Sequence, residues 1–226
     1  MKRFVRVATM WLAWTFCIGA ISADAQTTSS SGLGPRLYGE FNAGPTLGHK
    51  SNAFIGGEFG FRLVPDLDVF VEAGRMGNVG TQQLDTAAAI IAASPNISGT
   101  VSSTAKKVNY VDAGIRYHVH AIPIPRAQPY VLFGVGVAAV KTEATFAVNG
   151  TEVNVADRGV QLGGDLSGTV RKALIVAAFG INVPFQKRMF VDIGYRYGRV
   201  FPKTGDVETD TGINTHRVLA GLGVTF

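Results

Sequence analysis

The sequence predicts an all-β fold: an eight-stranded antiparallel up-and-down β-barrel that spans a membrane, following a cleaved signal peptide. Three observations carry that prediction. Eight segments alternate apolar and polar side chains at a spacing of two, the longest connections between them fall on one side, and charge is scarce. Charged residues make up 16% of the 226, apolar residues 46%, and there are 28 glycines. So little charge is unusual for a water-soluble chain of this length, which suffices for one domain with a sizeable closed sheet.

The alternation is plainest in Arg217–Phe226. Val218, Ala220, Leu222, Val224 and Phe226 take one face, while Arg217, Gly221, Gly223 and Thr225 take the other, interrupted only by Leu219. A period of two is the period of a strand. Such a strand pairs along both edges or leaves unpaired backbone exposed. Pairing the last strand with the first closes a barrel and removes that edge.

At the other end, Lys2, Arg3 and Arg6 precede an apolar stretch, Val7–Ile21, and the small-x-small triplet Ala23-Asp24-Ala25. This is the pattern of a secretory signal peptide over 1–25, too short to serve as a membrane span. Trp14-Thr15-Phe16 does not prepare Cys17 for lipidation. Cys17 is the sole cysteine, so a mature chain has no disulfide, thiol chemistry or cysteine-bound metal. Loss of Lys2, Arg3, Arg6 and Asp24 lowers the formal charge from +5 to +3, too mild for a nucleic-acid partner.

Residues 26–36 are rich in Ser and Gly and read as a flexible lead; the barrel is expected over 37–226. Leu37–Gly44 sets Leu37, Phe41 and Ala43 against Tyr38, Glu40 and Asn42. Phe54–Leu63 sets Ile55, Phe59, Phe61 and Leu63 against Glu58 and Arg62. After a tight turn at Val64-Pro65-Asp66, Leu67–Met76 sets Leu67, Val69, Val71 and Ala73 against Asp68 and Glu72. Val108–Val119 opposes Val111, Ala113, Ile115 and Tyr117 to Asp112, Arg116 and His118. Pro129–Val140 opposes Val131, Phe133, Val135 and Val137 to Tyr130, Gly134 and Gly136. Ala173–Val183 opposes Ile175, Ala177, Phe179 and Ile181 to Gly180 and Asn182. Met189–Val200 opposes Val191, Ile193, Tyr195 and Tyr197 to Asp192, Gly194, Arg196 and Gly198. With the terminal strand these are eight, and an even count puts both ends on one side. The two long connections, Gly77–Lys107 and Lys141–Lys172, both fall on the opposite side, an asymmetry of membrane barrels. Within the first, the Ala-rich Gln82–Ala93 is expected to form a short helix across the mouth.

A soluble eight-stranded barrel would turn the apolar face inward. Here the polar face holds glycine, aromatics, carboxylates and arginine with almost no lysine, unlike a solvated surface. Aromatics also stand towards strand ends on the apolar face (Phe41, Tyr117, Tyr195, Tyr197, Phe226), as an interfacial girdle would. The apolar face therefore points to lipid.

Pro129-Tyr130-Val131-Leu132-Phe133-Gly134-Val135-Gly136 and Val191-Asp192-Ile193-Gly194-Tyr195-Arg196-Tyr197-Gly198 are phrases on which the chain resembles the OmpA/OmpX-type small outer-membrane barrels, a group of outer-membrane β-barrel domain proteins. The terminal segment, with Val218, Ala220, Leu222, Val224 and Phe226, resembles the carboxy-terminal assembly signal of those barrels. The resemblance covers Leu37 to Phe226 and implies the outer membrane of a Gram-negative-type bacterium. It also implies outer-membrane lipid and lipopolysaccharide as surroundings, and barrel-assembly machinery that reads the last strand. A monomer is expected, with no cofactor. A periplasmic cell-wall-binding domain is not carried over.

The lumen then gathers Glu40, Glu58, Asp68, Glu72, Asp112 and Asp192 with Arg62, Arg116, Arg196 and Arg217. Eight strands leave room inside only for side chains, and an unpaired buried charge is costly. A plugging ion-pair network is expected, with a narrow ion passage as the alternative. Pairing Arg62 with Asp68 across the Pro65 turn sets Glu58 opposite Glu72, so Arg116 or Arg217 is expected between those two acids. At the loop-side strand ends Arg75, Lys106, Lys107, Lys141, Arg171, Lys172 and Arg199 are candidates for lipopolysaccharide phosphates. Catalysis is poorly supported. His118 and His120 lack a carboxylate cluster to complete a metal site, and His216, near Asp206, Glu208 and Asp210, has no serine in a recognisable motif. A structural and surface-interaction protein is expected first, a small porin-like passage second, and a lipid-modifying enzyme third.

Overall fold

The computed structural model describes residues 37–119, 127–162, 166–202 and 212–226. The leader expected over 1–25, the lead over 26–36, His120, Asp206, Glu208 and Asp210 lie outside the described residues. Among the described residues the elements run β1 (Leu37–Leu47), β2 (Asn52–Val64), β3 (Leu67–Met76), α1 (Gln82–Ala92), β4 (Thr100–His118) and β5 (Gln128–Val148). Then come β6 (Thr151–Val153), a 3₁₀ turn (Val155–Arg158), β7 (Gly168–Pro184), β8 (Met189–Val200) and β9 (Ile213–Thr225).

Eight of these strands form a closed antiparallel barrel, each paired with its neighbour in the chain except that β5 passes over the short β6 to β7. The seam between β1 and β9 runs from Tyr38↔Thr225 to Leu47↔His216, and the Phe226 N–H donates to the Leu37 carbonyl at 2.9 Å. Alternation then assigns every side chain to wall or lumen. Phe59, Val111, Val135 and Ile193 face out and are each more than half exposed, while Glu58, Asp112 and Arg196 are buried inside. An apolar exterior around a charged interior is stable only in hydrocarbon.

β4 and β5 run further than the alternation suggests: β4 begins at Thr100 rather than Val108, and β5 continues to Val148 rather than Val140. About 9–11 residues cross a bilayer, whereas β4 has 19 and β5 has 21, so their far ends leave the membrane as a two-stranded ribbon. Thr100–Lys107 (Thr-Val-Ser-Ser-Thr-Ala-Lys-Lys) shows no apolar face because above the hydrocarbon neither face needs one. β5 reverses into β6 at Asn149-Gly150, with φ of 52° and 79°. Two consecutive positive φ values make the turn that an Asn-Gly pair favours between strands.

The helix spans Gln82–Ala92, one residue less than expected, and buries Leu84, Ala88 and Ala92 one turn apart. They pack with Ile97, Phe146, Val155 and Leu166 into a second small core outside the barrel. Asp85 ties the helix to the β1–β2 turn through His49 Nε2 and Lys50 Nζ, both at 2.9 Å, and to β4 through the Thr104 hydroxyl. Burial pushes the Asp85 carboxyl up, but hydrogen bonds from Thr104, Lys50 and His49 outweigh it and hold the group at about 2.

Inside the barrel, two tyrosine rings lie over glycines on neighbouring strands. Tyr110 is paired with Gly74 and Tyr130 with Gly180, and a Cβ at either glycine would stand 2.5 Å from the phenol oxygen. Gly180→Ala should therefore lower the urea midpoint of the folded barrel, by about 1–3 kcal/mol of overpacking. Gly57→Ala, on the outer wall with its nearest contact at 3.6 Å, should leave the midpoint unchanged. Far-UV circular dichroism with heat-modifiable gel migration reads both.

Candidate functional site, a charged lumen between two rims

The register places four carboxylates abreast on four consecutive strands: Glu40↔Glu58, Glu58↔Glu72 and Glu72↔Asp112. Like charges directly opposite one another destabilise a sheet. The far wall has the mirror problem, since Arg196 on β8 pairs with Arg217 on β9. Closing the barrel turns the two walls towards each other and relieves both.

Arg196 is the residue that spans Glu58 and Glu72, the place expected for Arg116 or Arg217. Its Nη2 lies 2.7 Å from Glu58 Oε2, and its Nη1 bonds Glu72 Oε2. Arg116 takes the other side of Glu58, with Nη2 2.7 Å from Oε1, and also reaches Glu40 Oε2 at 3.4 Å and Asp192 Oδ2 at 3.6 Å. Arg217 approaches Glu72 Oε1 at 3.5 Å and bonds the Tyr110 hydroxyl. All three guanidinium side chains are 1% exposed or less. Five acids thus share three arginines, and both oxygens of Asp112 lack a hydrogen-bond partner among the described residues.

Three tyrosines complete this centre and were absent from the candidate set. Tyr38, Tyr110 and Tyr130 donate to Glu58 at 2.7 Å, Glu72 at 2.7 Å and Asp192 at 2.8 Å. The Arg116 guanidinium carbon also sits 4.4 Å from the Tyr130 ring centroid, and that of Arg217 sits 4.6 Å from Tyr110. A cation over a desolvated aromatic face is stabilising. The signal was available: each tyrosine shares the face of a charged residue two positions away, as Tyr110 does with Asp112.

Arg62 and Asp68 stand apart from the sealed centre, at the rim near the termini. Arg62 Nε donates to Asp68 Oδ1 at 3.0 Å and is partly exposed, while His118 Nε2 meets Asp68 Oδ2 at 2.7 Å.

At the loop rim the seven cations divide. Arg75, Lys107, Lys141, Arg171 and Arg199 occupy outward positions just above the apolar band. Lys106 and Lys172 do not: they pair with Thr142 and Ala138 on the inner face, and Lys172 is buried. Strand pleat forces this, because adjacent residues such as Lys106 and Lys107 point to opposite sides. Among the outward five, Glu143 bonds Lys107 and Lys141 at 2.7 Å each, and Arg199 donates to Asn214 at 2.7 Å. Arg75 and Arg171 have no acidic partner among the described residues. On β9, Val218, Leu222 and Val224 and the following Phe226 face outward, in line with the apolar belt.

A closed eight-stranded ring with an apolar exterior and an ion-paired interior defines a membrane-spanning β-barrel. The chain belongs to the outer membrane protein beta-barrel domain family, whose model matches residues 13–226. Among solved structures it is similar to Neisserial surface protein A, with 15% identity over 84% of this chain and 97% of that one and a TM-score of 0.54. It is also similar to a major outer membrane protein from Thermus thermophilus, with 10% identity over 84% and 99% and a TM-score of 0.51. At such identities the likeness is one of fold. No curated protein sequence matches.

Arg196→Ala leaves Glu58 and Glu72 facing each other in a dry lumen, so it should cost roughly 3–5 kcal/mol in urea unfolding. Arg62→Ala, at the wet rim, should cost less than about 1 kcal/mol.

Proposed function

We propose that this protein is an integral barrel of a Gram-negative-type outer membrane with a structural, envelope-supporting and surface-interacting role. The observation that carries this reading is the seating of Arg116, Arg196 and Arg217 across the lumen against Glu40, Glu58 and Glu72. A conducting pore needs a continuous polar path that an ion can enter and leave, and this centre is filled with side chains bonded to one another. No catalytic role is proposed, and lipid A incubated with the protein should remain intact. In a planar bilayer the folded barrel should give no steady conductance. Steady channels would instead support the small porin-like passage.

The outward cations supply the second part of the proposal. Arg75, Lys107, Lys141, Arg171 and Arg199 lie where the phosphates of lipopolysaccharide begin, and a guanidinium bonds phosphate oxygens in pairs. The β4–β5 ribbon and α1 project beyond that level and form the surface offered outward. The protein works as a monomer, with its last strand read by the assembly machinery. Joint replacement of Arg75 and Arg171 by Ala should reduce lipopolysaccharide binding several-fold at low salt, with the difference shrinking as salt screens the contacts. Unchanged affinity would remove this part of the reading.

A further inference from the structure

Between the sealed centre and the rim near the termini lies a cavity of about 130 Å³. Two side chains on its wall, His118 and Arg116, each carry a buried nitrogen with no partner among the described residues: His118 Nδ1 and Arg116 Nε. Their side chains are only 5% and 1% exposed. A buried polar group left unpaired is expensive, and two on one small cavity point to something that pairs with both.

Both side chains are held from behind. His118 Nε2 is 2.7 Å from Asp68 Oδ2, and Arg62 Nε fixes that carboxylate at 3.0 Å. Arg116 is anchored by Glu58 at 2.7 Å. The Asp68 carboxylate only accepts, so Nε2 carries a hydrogen. Nδ1 is then an acceptor in the neutral ring and a donor in the charged one, while Arg116 Nε always donates. Lys187 and Arg188, both exposed in the β7–β8 turn, stand on the same wall with Arg62. The Thr225 N–H donates to the Arg188 carbonyl at 2.8 Å and holds that turn against β9. Asp68 is the one acid among the residues lining the cavity, so cations outnumber it.

We propose that this cavity is a periplasm-facing site for a hydrogen-phosphate-type oxyanion, either free phosphate or a phosphate monoester on a lipid. Arg116 Nε and His118 Nδ1 are its inner ligands, and Lys187 and Arg188 are its outer ones. Hydrogen phosphate presents P–O⁻ acceptors together with a P–OH donor, so it satisfies Arg116 Nε and His118 Nδ1 in either state of the ring. A carboxylate offers no such donor. The size agrees: at roughly 30 Å³ per water the space suits one tetrahedral oxyanion with a little water, well short of the roughly 300 Å³ a drug-sized ligand requires. The site lies on the rim opposite the outward cations, so it stands or falls apart from lipopolysaccharide contact.

The test uses the whole protein, folded in neutral detergent with its histidines labelled with ¹⁵N. The sequence holds four histidines, and His118→Asn identifies the relevant ring. Inorganic phosphate, titrated at constant ionic strength, should move the His118 Nδ1 resonance saturably while Nε2 changes little. Joint replacement of Lys187 and Arg188 by Ala should weaken that binding about tenfold with heat-modifiable migration unchanged. Displacement of phosphate by a short-chain phosphatidic acid assigns the site to a lipid monoester, and phosphate binding without such competition assigns it to the free ion. An Nδ1 resonance that phosphate does not move, or that sodium chloride moves equally, would overturn the proposal. So would a phosphate response undiminished in the double variant.

Discussion

Four carboxylates abreast on one wall of a narrow cylinder are the constraint on which this structure turns. Glu40, Glu58, Glu72 and Asp112 occupy adjacent register positions on β1 to β4, an arrangement an open sheet would resist. Arg196 and Arg217 stand side by side on β8 and β9 with the same difficulty in opposite sign. Only a closed ring lets each wall neutralise the other, so ring closure and charge pairing are one event. The network also holds the register. A slip of one residue in any of these strands would move its charge from the lumen to hydrocarbon, where no partner waits.

The tyrosines extend that logic from charge to volume. Each guanidinium needs hydrogen-bond acceptors and also a desolvated surface to rest on. The rings of Tyr130 and Tyr110 provide this for Arg116 and Arg217. Those rings fit because Gly180 and Gly74 leave room on the neighbouring strands. Glycine inside this barrel is thus the complement of tyrosine, which accounts for much of its abundance on the polar face.

The two ends of the cylinder answer to different surroundings. At the loop rim the ladder of β4 and β5 outruns the membrane, gains a small core of its own with α1, and is pinned by Asp85 to the β1–β2 turn. At the other rim the turns are short, and Arg62, Asp68 and His118 form a wet outpost of the network rather than part of its sealed middle. The outward cations and the inward pair Lys106 and Lys172 show how sharply the pleat sorts neighbours. Their closeness in the chain suggested one patch, whereas their parity had already separated them.

Within the membrane the sequence by itself determined which side of the wall each residue takes. Hydrocarbon outside and packed charge inside leave a period of two that can be read directly from Phe59 against Glu58 or Ile193 against Asp192. That signal fades where lipid ends, which is why the start of β4, Thr100–Lys107, and the end of β5, Lys141–Val148, were not legible. Tertiary structure alone decided which charge meets which. Arg196, rather than Arg116 or Arg217, lies between Glu58 and Glu72 because contacts across a lumen depend on strand tilt and stagger when the ring closes. Those quantities belong to the whole barrel and to no single strand. The same closure brings His118 and Arg116 to one cavity and leaves a nitrogen of each without a partner among the described residues.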